Sequence, residues 1–240
     1  MCYNKLQVDV TIGHIFMKSK KFLQLIIVCF FSLNAFSAIA AGPIASEAKL
    51  WAEEKGQLLL DTFQVKDLAK KHSLLDELFL KHVDLPYVSK FIIGKHWREM
   101  TPEQQSRYQK LFTRYALGVY KSFPLTFDKP ITFSINNADV SKDYTDVWAL
   151  IDMGGNLANQ NQQQPQNFNV MFRLRKQGKE IKIIDIKFAE SSLILSYRNR
   201  FYQMVAEVEG DIEWFLEDLE TTVVSTERTN QQKLQEEQLK

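Results

Sequence analysis

The hydrophobic period of this chain changes twice, and those changes fix the order in which helix and sheet follow one another. Up to Pro124 the apolar residues recur at three- and four-residue spacing, which is one face of a helix. Past Pro130 they alternate: Ile131, Phe133 and Ile135, then Val147, Ala149 and Ile151, then Phe168, Val170, Phe172 and Leu174. Ile181, Ile183, Ile184, Ile186 and Phe188 form a fourth, doubly apolar run, reached through the tight hairpin signal Gln177-Gly178. After Ala189 the helical spacing returns in Leu193, Ile194, Tyr197, Phe201, Met204, Val205 and Val208. Sequential strands with short links predict an antiparallel meander. The expected class is α+β: N-terminal helices, a four-stranded antiparallel sheet, then C-terminal helices.

The helical part has its strongest signal between Leu85 and Tyr120. Val88, Phe91 and Ile92 share a face, Pro86 occupies a first turn where no N–H is needed, and Gly94 ends the run. Thr101, Pro102 and Gln104 then spell N-cap, N1 and the far side of a capping box. From there Tyr108, Leu111, Phe112, Tyr115, Ala116, Val119 and Phe123 make a broad aromatic face, with Arg107, Lys110, Arg114 and Lys121 mostly off it. Upstream, residues 44–63 and about Val65–Val83 also read as helical, with Gly56 weakening the middle of the first. Ser191 or Ser192 is expected to cap the helix after the sheet, Gly210 to break it, and Asp211 to cap another carrying Ile212, Phe215, Leu216 and Leu219.

The N-terminus reads as an address. Lys18, Lys20 and Lys21 precede an apolar run from Phe22 to Phe36, and Ala38-Ile39-Ala40 supplies small residues for a signal peptidase. Cleavage is expected after Ala40, with Met17 as the start, which marks the protein for export. The run is too short for a span of about 20 residues, and Cys29 lacks the small residues of a lipoprotein signal. Both cysteines, Cys2 and Cys29, fall in the part removed, so no disulfide is expected in the remainder. The chain carries 30 Lys and Arg against 29 Asp and Glu, and removing residues 1–40 leaves 26 against 28. That balance gives no electrostatic footprint for nucleic acid. Residues 41–224 suit a single domain, and the polar stretch 225–240 is expected to fray or lack order. Gly154-Gly155 opens a Gln/Asn-rich tract expected to be a solvated loop.

Little in the sequence asks for catalysis. His72, His82 and His96 are not spaced as metal ligands, and no G-x-S-x-G elbow, P-loop or dinucleotide fingerprint occurs. No catalytic residue, metal or cofactor is expected. The chain has an apolar surplus instead: 17 Phe, 8 Tyr and 4 Trp, many on two-sided elements. Trp148 and Leu150 oppose Val147, Ala149 and Ile151 on one strand. Either the sheet is covered on both faces, or one face lines a cavity.

The run P-Y-V-x-x-F-I-I-G-K-x-W at Pro86–Trp97, followed by T-P-E-Q-Q-x-x-Y-x-x-L-F-x-x-Y at Thr101–Tyr115, resembles the toluene-tolerance, or MlaC, family of periplasmic phospholipid-binding proteins. The likeness extends from about Leu58 to Leu219 and resumes in S-L-I-L-S-Y-R-x-x-F at Ser192–Phe201. It implies helices on a curved sheet, nuclear-transport-factor-like with an added helical lobe, enclosing an apolar cavity for acyl chains. On that reading Val88, Phe91, Leu111, Tyr115, Val119, Tyr120, Trp148, Leu150, Phe172, Ile184, Phe188 and Tyr197 are expected to touch lipid. Arg107, Lys110 and Arg114, with Lys95 and Arg98 in the turn before them, form either a solvated face or a docking face for an acidic patch on a membrane partner. The partners implied are an inner-membrane ABC transporter complex with its substrate-accepting membrane protein, and an outer-membrane lipoprotein–porin complex, met by a monomer. The implied function is phospholipid shuttling that maintains outer-membrane asymmetry. The alternative is a chaperone or lipoprotein carrier using the same groove, and an isomerase or hydrolase ranks last for want of a base–acid pair. One departure stands out: where the family commonly has glycine after the Glu ending the last strand, this chain has Glu190-Ser191-Ser192.

Overall fold

A computed structural model describes residues 43–122, 131–152 and 167–239. The expected signal segment, the Pro124–Pro130 break and the Gln/Asn-rich tract lie outside the described residues, as do both cysteines.

Apart from the first, which follows Ile44 without a side-chain cap, the α-helices begin where side chains can satisfy their free N–H groups. Helix α1 runs Ala45–Phe63 and α2 runs Leu68–His82, with Asp67 accepting from the Lys70 N–H at 2.7 Å. Helix α3, Leu85–Ile93, is capped by Asp84 and carries Pro86 in its first turn. It ends at Gly94, whose φ of 56° is a conformation glycine adopts freely, and a 3₁₀ turn spans Gly94–Arg98. Helix α4, Pro102–Lys121, opens with the reciprocal capping box: the Gln104 N–H donates to Thr101 Oγ1 at 3.2 Å and the Thr101 N–H to Gln104 Oε1 at 3.0 Å.

The sheet is an antiparallel meander in the order β1-β2-β3-β4-β5. Its strands are β1 Thr132–Val140, β2 Thr145–Asp152, β3 Asn167–Gln177, β4 Glu180–Phe188 and a two-residue β5, Ser191–Ser192. The fifth strand adds to the four expected; Ser191 and Ser192 fold back to pair Phe188 and Lys187 before the next helix starts. The neighbouring Ile183 and Ile184, which interrupt the alternation in sequence, mark a bulge: Leu174 pairs Ile183 and Arg173 pairs Asp185, leaving Ile184 over. A bulge re-aims a side chain, and here it allows β4 to serve two different apolar environments.

One of those environments lies under α1. Ala48, Trp51 and Ala52 meet Val147, Ala149, Ile151, Val170, Phe172, Leu174 and Phe188, all buried. Gly56 permits close contact, since a Cβ there would lie 2.0 Å from the Phe133 ring. The residue that weakens α1 on propensity is therefore required by packing.

The other environment is helical. Helix α5, Leu193–Glu207, is capped by Ser192, whose Oγ accepts from the Leu195 N–H. Helix α6, Ile212–Gln238, is capped by Asp211. Tyr108, Leu111, Phe112, Phe201, Phe215, Leu216 and Leu219 form the shared core of α4, α5 and α6. Helix α6 does not stop near Ser225, as the polar composition of 225–240 suggests. It continues along α4, where Asn230 Nδ2 donates to the Gly118 C=O at 2.9 Å and Lys233 Nζ to the Ser122 C=O at 2.9 Å. These polar side chains meet the carbonyls that the end of α4 leaves free, so order here needs no apolar face.

Candidate functional site: an apolar cavity

Between the helical core and β4 the walls do not close. Phe79 and Val83 come from the end of α2, Leu85, Val88 and Ile92 from α3, and Phe112, Tyr115, Ala116, Val119 and Tyr120 from α4. Strand β4 contributes Ile183 through Ile186, with the bulged Ile184 among them, and α5 contributes Leu193, Ile194 and Tyr197. The backbone around Val83 fixes this corner: the Asp84 N–H donates to the Ile183 C=O at 3.0 Å, and Arg175 reaches Asp84 at 2.7 Å. The cavity measures about 90 Å³. That exceeds what one water needs but falls short of the roughly 300–1,000 Å³ of ordinary ligand pockets. A large ligand therefore has to part the walls. Phe79, Ala116, Ile194 and Tyr197 are only half-buried, so the lining reaches the surface along that side.

Four lining residues carry polar side-chain atoms, Asp185, Tyr120, Tyr115 and the half-buried Tyr197. Asp185 is held at the start of α5: its Oδ1 accepts from the Ile186 and Ile194 N–H groups at 2.7 and 3.2 Å, and its Oδ2 from Ser192 Oγ at 2.7 Å. Burial pushes its pKa up, against those hydrogen bonds, which pull it down. Tyr120 donates to the Asp76 carboxylate, which also pairs with Lys121 at 2.6 Å, and burial raises the phenol well above its usual range. Tyr115 is buried with no hydrogen-bond partner for its hydroxyl, and burial pushes its pKa up to about 12 while the charge of Arg200 draws it down. Among the described residues no group of three or more His, Cys, Asp and Glu is placed to hold a metal, and no helix is long and apolar enough to cross a membrane.

Residues 57–221 match the family described as MlaC protein. The chain belongs to the MlaC family. The match covers nearly the span over which the sequence resemblance holds. A search of curated proteins finds no match. Among solved structures, the chain is similar to the phospholipid-binding protein from Ralstonia solanacearum in complex with a phospholipid. The two share 19% identity with a TM-score of 0.53, over 69% of this chain and 87% of that one, a likeness of fold.

This MlaC-family chain distributes the residues singled out in its sequence over five places. Val88, Tyr115, Val119, Tyr120, Ile184 and Tyr197 come together in the cavity wall. Phe172 and Phe188 are instead buried under α1, because their faces of β3 and β4 meet that helix. Leu111 is buried in the helical core. Trp148 and Leu150 point away from the α1 face of β2, and Trp148 Nε1 donates to Asp139 at 3.2 Å. Phe91 stacks on Tyr87 and lies under the Arg198 guanidinium. None of these last six lines the cavity. Residues not among those expected to touch lipid do line it, notably Phe79, Val83, Leu193 and Ile194 at element ends. The doubled isoleucine followed by a lone acid, Ile183-Ile184-Asp185, was the signal available for β4.

The basic side of α4 also differs from the expectation of an open charged face. Arg107 pairs with Glu213 and, at 2.8 Å, with Glu220, while Arg114 pairs with Glu227 at 2.7 Å, all on α6. Lys110 is exposed. The two arginines thus have their charge met within the molecule.

Proposed function

We propose that this chain is a periplasmic glycerophospholipid carrier that takes acyl chains into the cavity between α2–α5 and β4 and leaves the head group outside. The observation that carries the reading is an almost wholly apolar cavity that reaches the surface, in a chain of the MlaC family. The physics of the task supports it. Exposing an acyl methylene costs about 0.8 kcal/mol, so a lipid with roughly 30 of them faces about 20 kcal/mol or more in crossing water bare. A cavity as apolar as the bilayer removes most of that barrier. Lipid in the protein is then near balance with lipid in a membrane, and transfer runs either way. Direction has to come from partners: an ABC transporter complex with its substrate-accepting protein on the inner membrane, and a lipoprotein–porin complex on the outer one. The cycle would return phospholipid across the periplasm and maintain outer-membrane asymmetry. The role is binding and transport without chemistry on the ligand, and the ligand is the phospholipid itself.

Organic extraction of the purified protein followed by mass spectrometry tests this. Diacyl glycerophospholipid at close to one molecule per chain is the expected result. Recovery of a lipidated peptide, or of no diacyl lipid from protein made in an envelope-containing host, would overturn it.

A further inference from the structure

A buried polar atom with no partner calls for an explanation, because leaving it unmatched costs more than a hydrogen bond gains. Among the described residues, the side-chain atoms in that condition are His72 Nδ1, both ring nitrogens of His82, Arg200 Nε and Tyr115 Oη. Tyr115 alone of these residues lines the cavity. It is 3% exposed. Its ring stands edge-on against Tyr197, with centroids 6.0 Å apart, and against Phe201 at 5.4 Å, so the hydroxyl is fixed in place and kept from water. Two other polar groups of the wall are occupied, Asp185 by Ser192 and two backbone N–H groups and Tyr120 by Asp76, while Tyr197 is only half-buried. Tyr115 therefore holds an unpartnered donor within the cavity wall, where a ligand that parts the walls can meet it, with Arg200 near enough for its charge to act on the phenol. A nearby cation polarises an O–H bond and makes it a better donor.

A donor so placed suits a neutral acceptor that travels with an apolar chain. A phosphate suits it poorly, since a buried anion needs several partners and a countercharge in contact. A carboxylic-ester carbonyl meets the requirement: it is neutral, accepts one or two hydrogen bonds, and sits at the top of an acyl chain. Resting on the carrier reading above, we infer that Tyr115 Oη donates a hydrogen bond to an acyl-ester carbonyl of the bound lipid and sets how deep the chains enter. The cavity then selects ester-linked over ether-linked chains of equal length and head group.

The experiment offers delipidated protein an equimolar mixture of diacyl and dialkyl-ether phosphatidylcholine with identical chains, presented in vesicles, and counts both species in the re-isolated complex. Wild-type protein should enrich the ester lipid about fivefold, the factor one net hydrogen bond supplies. Tyr115→Phe, which removes one oxygen, should bind both lipids equally and melt at or above the wild-type temperature when empty. A wild-type protein that takes both lipids equally overturns the assignment without any variant. So does a Tyr115→Phe protein that keeps the preference. Equal weakening toward both lipids in Tyr115→Phe places the contact on the phosphate and overturns the ester assignment while leaving the carrier reading intact. Failure of wild type to bind either lipid removes the carrier reading and this inference together.

Discussion

The two apolar clusters of this molecule are both built of apolar side chains, yet the cavity is walled mostly by the helical one. Under α1 the contact is helix on sheet: Ala48, Ala52, Ala149 and Gly56 are small, and Val147, Val170 and Ile151 stand on a regular pleat. Branched chains on a pleat pack densely beneath a close helix. The helical cluster is tiled by rings instead. Tyr108, Phe112, Tyr115, Phe201 and Phe215 meet edge to face or tilted, with centroids 5.4–6.2 Å apart. Rings are stiff and flat, so where this wall meets a bulged strand rather than a regular one, a void persists. Apolarity alone does not decide which surface becomes a cavity; the shape of the opposing element does.

The largest expected effect tests whether the clusters are separate. Phe172 is 1% exposed and lies wholly under α1. Phe172→Ala should cost about 3–5 kcal/mol in urea unfolding, while the fraction that stays folded keeps its full lipid load. Loss of lipid from folded Phe172→Ala protein would show that the two regions act as one.

Acid probes the seam between them. His82 is 1% exposed, touches Trp51 edge-on, and precedes Val83, which packs against both clusters. Burial, helped by Lys182, Lys81 and Lys55, lowers its pKa to about 3, and burial with Lys121 lowers that of His72 to about 4. In both cases the unfolded chain binds a proton more readily than the folded one. Their stabilising effect is therefore complete above the unfolded value of 6.5 and is lost as pH falls toward 4 and 3. Between pH 7 and 5 each histidine should remove about 2 kcal/mol. Melts across that range should flatten in His82→Phe; an unchanged slope would place the acid sensitivity elsewhere.

The cavity side should respond differently to added volume. Val119 lines the void and is 8% exposed. Val119→Phe has room to enter, so stability should shift by less than about 1.5 kcal/mol, while bound lipid falls about tenfold. Loss of stability with lipid retained would reassign this wall to ordinary core.

The sequence announced the fold far better than the site, for a physical reason. Periodicity, caps and turns act over a few residues, so Thr101–Gln104, Asp211 and the hairpin at Gly178 were legible one by one. Whether an inward-facing residue meets a void or a neighbour depends on what lies across from it. Phe172 and Tyr115 look alike in pattern and part company only because α1 covers one and a bulge faces the other. The length of α6 was hidden for the opposite reason, since its last turns are held by polar contacts that a hydrophobic pattern does not register.

The smallest expected effects lie on that same helix, which braces the ring-lined cluster from outside. Gly118 brings α6 close to α4: a Cβ there would stand 3.1 Å from Thr226 Cγ2. At this contact Asn230, 5% exposed, donates to the Gly118 C=O, whereas the Arg107 and Arg114 side chains remain 36% and 40% exposed in their ion pairs. Asn230→Ala leaves a buried carbonyl with one partner fewer and should cost about 1 kcal/mol. Exposed pairs give up most of their attraction to solvent, so Arg107→Gln and Arg114→Gln should each cost roughly 0.2–1 kcal/mol at low salt and less at high salt. Urea melts at two ionic strengths separate these contributions. Should the arginine variants prove the more damaging, and equally so in high salt, the brace would be electrostatic and internal. The view of α6 as a strap fastened by its polar last turns would then be wrong.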